Sequence, residues 1–107
     1  MKKKILIVED NSDSLEILGL FVTKFGHQVI KASNSQEAIT YAEAERPDLI
    51  FMDLDLPDAD GIKTTAILKK NPKTSHIPVV AVTAWISALS EERALKVGIL
   101  TYLIKPV

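Results

Sequence analysis

Leu49-Ile50-Phe51-Met52-Asp53 is the stretch that decides the fold of this chain, because four apolar residues in succession end on a carboxylate. Short continuous apolar runs are typical of parallel strands that are buried on both faces. Similar runs lie at residues 5–8, 79–82 and 102–104, and a shorter one lies around residues 29–30. These runs alternate with longer segments of helical period. Strict alternation predicts an α/β fold with one five-stranded parallel sheet.

All of these runs except the one near residue 29 lead into a chemically reactive residue. Glu9 and Asp10 follow the first run, Asp53 the third, Thr83 the fourth and Lys105 the last. The carboxyl ends of parallel strands meet at one edge of the sheet, where ligands of such folds bind. Oxygen ligands with room for water are the kind that Mg²⁺ prefers. The sequence therefore predicts a magnesium-dependent phosphoryl site at this edge.

Length and composition limit the possible functions. The chain has 107 residues, which predicts one domain over residues 1–107. Its net charge of -1 offers no basic surface for nucleic acid or for an anionic membrane. It has no cysteine, which excludes disulfides and thiolate sites. No apolar run approaches the roughly 18 residues that span a bilayer. We expect a soluble, cytoplasmic protein.

Four segments between the strands carry helical signals. The expected helices begin near Ser12 or Asp13, Ser35, Gly61 and Ser90, and end at Gly26, Pro47, Asn71 and Gly98. The chain thus has a helix after each of its first four strands and ends two residues after Lys105.

Five short motifs stand in order along the chain. They are Ile7-Val8-Glu9-Asp10-Asn11, Phe51-Met52-Asp53-Leu54-Asp55-Leu56-Pro57, Asp60-Gly61, Val82-Thr83-Ala84 and Lys105-Pro106. In this order and spacing they make essentially the whole chain resemble the CheY-like receiver domains of two-component response regulators. The resemblance implies a flavodoxin-like, doubly wound sheet with strand order 2-1-3-4-5. It also implies a signalling phosphoacceptor that catalyses its own phosphorylation and dephosphorylation, rather than an enzyme with a separate substrate.

The same resemblance implies the roles of the acidic residues. Asp53 accepts the phosphoryl group from a phosphohistidine on a sensor histidine kinase or a phosphotransfer protein. Asp10, Asp53 and the backbone carbonyl of Asp55 ligate Mg²⁺, and Glu9 acts on the ion through water.

Four further residues take implied roles in phosphoryl binding and switching. Thr83 and Lys105 bind the phosphoryl oxygens, helped by the backbone amide of Ala84. Tyr102 turns inward as the Thr83 hydroxyl moves to the phosphate. Two finer expectations concern a cis peptide bond between Lys105 and Pro106 and shielding of the phosphoryl group by Trp85.

Two alternatives from other classes stay open at this point. The Asp53-Leu54-Asp55 motif after an apolar strand also resembles the nucleophile motif of haloacid dehalogenase-like phosphatases. Those enzymes place the motif on an early strand and need a longer chain. The second alternative is a docking module that works without phosphorylation.

The number of helices leads to one more expectation. In receivers a fifth helix normally follows the Lys-Pro motif, and this sequence, read as a receiver truncated after its fifth strand, apparently lacks it. The first helix would then be alone on its face of the sheet, leaving an apolar patch along the third to fifth strands. We expect either that the sequence belongs to a longer protein or that a partner or a second copy, in a homodimer, covers this patch.

Overall fold

A computed structural model describes residues 2–84 and 86–105. Five parallel strands form one sheet in the order β2-β1-β3-β4-β5, which confirms the flavodoxin-like, doubly wound fold. The strands are β1 (Lys4–Val8), β2 (Gln28–Ala32), β3 (Leu49–Asp53), β4 (Val79–Thr83) and β5 (Ile99–Ile104). The expectations for Trp85 and for the bond between Lys105 and Pro106 fall outside the described residues.

Four helices connect the strands within the described part of the chain. They are α1 (Ser12–Lys24), α2 (Ser35–Glu45), α3 (Gly61–Lys70) and α4 (Ala88–Lys96). None of these helices has the length and apolar character needed to cross a membrane.

The N-terminal caps of three helices lie one to three residues before the residues that were expected to begin those helices. The caps are Asn11, Asn34 and Ser87, and each side-chain oxygen accepts the backbone N–H three residues further on. A capping residue has extended backbone and precedes the helix. The predicted residues Ser12 and Ser35 are instead the first helical positions.

The sheet separates two apolar clusters. The larger one packs β1, β3 and β4 against α2, α3 and α4, with Leu6, Ile50 and Met52 fully buried. The smaller one packs Ile5 and Ile7 against α1. The first helix is therefore the only described helix on its face.

Several apolar side chains on that face of the sheet and on α1 stay half-buried or exposed within the described residues, and we call this group the open face. It consists of Phe51, Val80 and Leu103 on the strands and of Phe21 and Phe25 on the neighbouring helix. Phe51 is paired with Val80, and both are half-buried, whereas Leu103 is 41% exposed. Phe21 and Phe25 are 63% and 66% exposed, and their ring centroids lie 5.2 Å apart.

Candidate functional site

Three carboxylates meet at the carboxyl edge of the sheet. Glu9 and Asp10 follow β1, and Asp53 is the last residue of β3. Each offers one carboxylate oxygen, and these oxygens all lie within 4.8 Å of one another. The register explains this proximity, because Val8 of the first strand is paired with Met52, the residue before Asp53. The predicted acidic cluster is therefore assembled by neighbouring strands.

Lys105 supplies the positive charge of the site. Its Nζ lies 2.6 Å from Oε1 of Glu9 and 3.3 Å from Oδ2 of Asp53. The backbone N–H of Lys105 donates to the carbonyl of Thr83 at 2.8 Å, which holds this residue beside the end of β4. One ammonium thus faces two carboxylates, and the third, Asp10, is exposed at the mouth of the site.

Burial shapes the electrostatics of Glu9. Its side chain is 1% exposed, and Asp53 beside it is 3% exposed. Burial, followed by the nearby carboxylate of Asp53, raises the pKa of Glu9 from 4.5 to about 7, although Lys105 acts in the opposite direction. Burial alone would lower the pKa of Lys105, but the hydrogen bond with Glu9 and the two negative charges raise it overall. The cluster therefore carries negative charge that one lysine does not fully compensate.

The same cluster fits a divalent cation. Oε2 of Glu9 is a buried oxygen without a hydrogen-bond partner among the described residues. Buried polar atoms of this kind usually have a partner, so an orphaned carboxylate oxygen among further carboxylates points to a cation. Asp10 is exposed, so water can reach the outer side of the carboxylate cluster. Mg²⁺ usually keeps several water ligands, and this access suits it. The donor set consists of oxygen atoms, which suits magnesium.

The loop after β3 places Asp55 next to the cluster. The backbone N–H of Asp55 donates to Oδ1 of Asp53 at 3.0 Å. Asp55 also forms an antiparallel bridge with Asp60, which closes the loop on itself. The backbone of Asp55 is therefore held beside Asp53, where its carbonyl was predicted to serve the metal.

The hydroxyl and amide predicted to bind phosphate line one cleft. Thr83, 1% exposed, ends β4, and Ala84 follows it at the surface. Both residues line a cleft of about 760 Å³ together with Asp10, Asp55 and Ser87. The cleft is large enough for a phosphoryl group and its water, and it opens between the loops that follow β3 and β4.

Tyr102 occupies a different place from the other predicted residues. It lies on β5, paired with Ala81, and packs half-buried against the larger apolar cluster. Tyr102 thus lies two residues before Ile104, which ends β5 and is paired with Thr83.

The loop before α3 and the first residue of α3 make contacts that the sequence did not indicate. A Cβ on Gly61 would collide with the carbonyl oxygen of Asp53, so only glycine lets α3 begin this close to Asp53. Asp58 accepts backbone amides of α2, and Asp60 caps α3 and pairs with Arg93 at 3.3 Å. The amides of α2 and Arg93 lie far from this loop in sequence, and no local signal indicates these contacts.

Known proteins share both the fold and the sequence pattern. The family described as the response regulator receiver domain matches residues 5–107. The polar-differentiation response regulator DivK of Brucella anthropi is 38% identical over 107 residues, which cover 100% of this chain and 87% of that protein.

Two solved structures extend the comparison. The receiver domain of sensor histidine kinase PA1611 from Pseudomonas aeruginosa PAO1, with a magnesium ion coordinated in the active site cleft, is 30% identical. It superposes with a TM-score of 0.90 over 100% of this chain and 88% of that chain. Chemotaxis protein CheY4 of Vibrio cholerae, 22% identical, reaches a TM-score of 0.94 over 100% of this chain and 89% of its own, which supports the fold.

Proposed function

Because this chain belongs to the family of response regulator receiver domains, we propose that Asp53 is its phosphoacceptor. The donor is a phosphohistidine on a sensor histidine kinase or a phosphotransfer protein. One observation carries the proposal: a buried aspartate ends the central strand, with an ammonium 3.3 Å away and two further carboxylates within 4.8 Å. This arrangement combines a nucleophile with an ammonium that can neutralise phosphoryl charge and with carboxylates that could hold a metal ion.

The transfer exchanges one bond to phosphorus for another. An oxygen of Asp53 attacks the phosphorus in line, the bond from phosphorus to the histidine nitrogen breaks, and an acyl phosphate forms. Lys105, which faces Oδ2 of Asp53, is placed to bind an oxygen of the transferred group. Loss of the phosphoryl group to water reverses the state of the protein, and we assign both reactions to this site of the receiver itself.

Magnesium is the proposed cofactor. Asp10, Asp53 and the carbonyl of Asp55 would hold the ion, and Glu9 would act through water. When bound, Mg²⁺ supplies positive charge that stabilises the phosphoryl oxygens. Fit of the cluster to a cation rests on the orphaned Oε2 of Glu9 and on the three converging carboxylates.

Readout of the phosphorylated state is proposed to run through Thr83 and Tyr102. Thr83 would turn its hydroxyl to the phosphoryl group, with the Ala84 amide as a second donor. Tyr102 packs half-buried on the strand beside Thr83, so movement of the threonine would alter the space available to the ring. The result is a change at the surface that partners contact.

Phosphorylation by a small donor tests the assignment of Asp53. Acetyl phosphate with Mg²⁺ is expected to label the wild type once per chain, and neither Asp53→Asn nor metal-free protein is expected to take label. The matched control is Asp48→Asn, the same substitution on an exposed residue just before β3, whose carboxylate accepts the amide of Lys4. Label retained by Asp53→Asn would refute the assignment.

Two further measurements separate the alternative functions. The family match favours the receiver over a haloacid dehalogenase-like phosphatase. Continuous turnover of a phosphomonoester would contradict that preference. A phosphorylation-independent docking module would show no shift of any amide resonance on addition of Mg²⁺ and beryllofluoride.

We also propose that the open face is covered in the functional assembly, by a partner or by a second copy in a homodimer. Phe21, Phe25 and Leu103 are exposed apolar residues on this side of the sheet, and exposed apolar patches mark interaction sites. Light scattering is expected to give a mass above that of the monomer, or else a hydrophobic dye is expected to bind. A stable monomer that binds no dye would contradict this proposal.

A further inference from the structure

Asp58 connects the loop after β3 to a helix that is distant in sequence. Its Oδ1 accepts the backbone N–H of Ser35 at 2.8 Å, and its Oδ2 accepts that of Gln36 at 3.1 Å. The next amide of α2, from Glu37, is bound by the side chain of Asn34. The free amides at the start of this helix are therefore shared between its own cap and a carboxylate from another loop.

The loop has a second anchor two residues later. Oδ1 of Asp60 accepts the backbone N–H of Ile62, and Oδ2 pairs with Arg93 of α4. Asp60 also forms the bridge to Asp55, whose N–H donates to Asp53. Asp55 is thus connected through this bridge to a segment that is held to three helices.

We propose that Asp58 is a positioning residue, which holds the loop against α2 so that the carbonyl of Asp55 is presented to the metal and phosphoryl site. The inference rests on the proposed function of Asp53 and Asp55. Asp58 lies three residues after Asp55 and two before Asp60, so it fixes the part of the loop between the two bridging residues.

The chemistry of the contact explains why an aspartate suits this position. A carboxylate at the amino end of a helix is favoured by the helix dipole and by charge-assisted hydrogen bonds. The amides of Ser35 and Gln36 lower the pKa of Asp58, so the contact is present throughout the neutral range. Asp58 is exposed, and it uses both oxygens to hold the loop where water competes.

Three variants separate positioning from charge and from helix stability. Asp58→Ala removes both hydrogen bonds. Asp58→Asn removes the charge but keeps one acceptor oxygen for Ser35. Asn34→Ala removes a different cap of the same helix, whose partner is Glu37 and not the loop.

The first measurement is Mg²⁺ affinity by calorimetry. Loss of a residue that orients a metal ligand weakens metal binding by about 10–100-fold, and we expect about tenfold for Asp58→Ala. Asp58→Asn is expected to stay within about threefold of the wild type, and Asn34→Ala within about twofold. An equal loss in Asp58→Asn would assign the effect to charge, and an equal loss in Asn34→Ala would assign it to helix stability. Either result would overturn the inference.

The second measurement is amide hydrogen exchange without metal, which judges the loop whether or not Asp53 is the phosphoacceptor. The N–H groups of Asp55 and Gly61, bound to Asp53 and to the Leu54 carbonyl, report on the loop. Both are expected to exchange about tenfold faster in Asp58→Ala and at the wild-type rate in Asn34→Ala. Unchanged exchange in Asp58→Ala would refute the proposal that Asp58 holds the loop against α2. If the wild type bound no Mg²⁺ while exchange accelerated, only the proposed function would fail.

Discussion

Replacing Glu9 with glutamine is expected to stabilise the metal-free protein, even though the substitution removes a residue of the candidate site. Glu9 is 1% exposed, and its pKa is raised from 4.5 to about 7 by burial and by Asp53. A carboxyl group with a higher pKa in the folded protein binds its proton more tightly there than in the unfolded chain. The free energy of unfolding therefore falls as the pH rises from about 4.5 through 7.

The size of the effect follows from the same shift. Each pKa unit corresponds to about 1.4 kcal/mol, so a rise from 4.5 to about 7 destabilises the ionised form by about 3 kcal/mol. Glutamine resembles the protonated acid in shape and stays neutral at all pH values. The difference in unfolding free energy between Glu9→Gln and the wild type is thus expected to be near zero at about pH 4 and to approach about 3 kcal/mol at about pH 8.

Urea unfolding followed by circular dichroism, in the presence of a chelator, measures this difference. Glu16→Gln is the control, because Glu16 is exposed on α1, and its effect is expected to stay within about 0.5 kcal/mol at every pH. A difference for Glu9→Gln that does not change between about pH 4 and about pH 8 would refute the reasoning, as would a less stable variant at the higher pH.

Two further substitutions test how the site is built. Gly61→Ala places a Cβ against the carbonyl of Asp53 and is expected to cost about 3 kcal/mol in urea unfolding. The control is Gly19→Ala, whose Cβ would meet the flexible end of Lys31 and come into ordinary contact with Val29, and it is expected to stay within about 1 kcal/mol of the wild type. Equal losses would show that the close approach is unimportant. Lys105→Met keeps side-chain length but removes the ammonium beside Asp53. Labelling by acetyl phosphate is therefore expected to slow by about 100-fold. An unchanged rate would contradict the proposed role of the lysine.

Strands β1, β3 and β4 were predicted accurately because each is an almost continuous apolar run, whereas β5 begins three residues before the predicted run at residues 102–104. Residues 49–52 and 79–82 lie within β3 and β4 as the structure has them. The capping residues of the helices were predicted less well, since serine and asparagine both cap helices and stand side by side at residues 34 and 35. Only the backbone conformation decides which of the two caps the helix, and here it is Asn34.

The predicted site residues were brought together because they share one structural position. Glu9, Asp53 and Thr83 all lie at the carboxyl ends of parallel strands, so the fold class alone placed them at one edge. The contacts of Asp58 with α2 were not predictable, since the partners lie 22 and 23 residues away along the chain.

The sequence by itself determined the class of fold, the order of the chemical groups along the chain and the oxygen-rich character of the site. Those properties follow from the period of apolar residues and from the residue types at strand ends, both of which are local. Only the tertiary structure decided that Glu9 is buried with a pKa near 7, that Lys105 lies between two carboxylates, and that Asp58 connects the loop to α2. Distances across the sheet and access to water set these properties, and they exist only once distant segments have packed together.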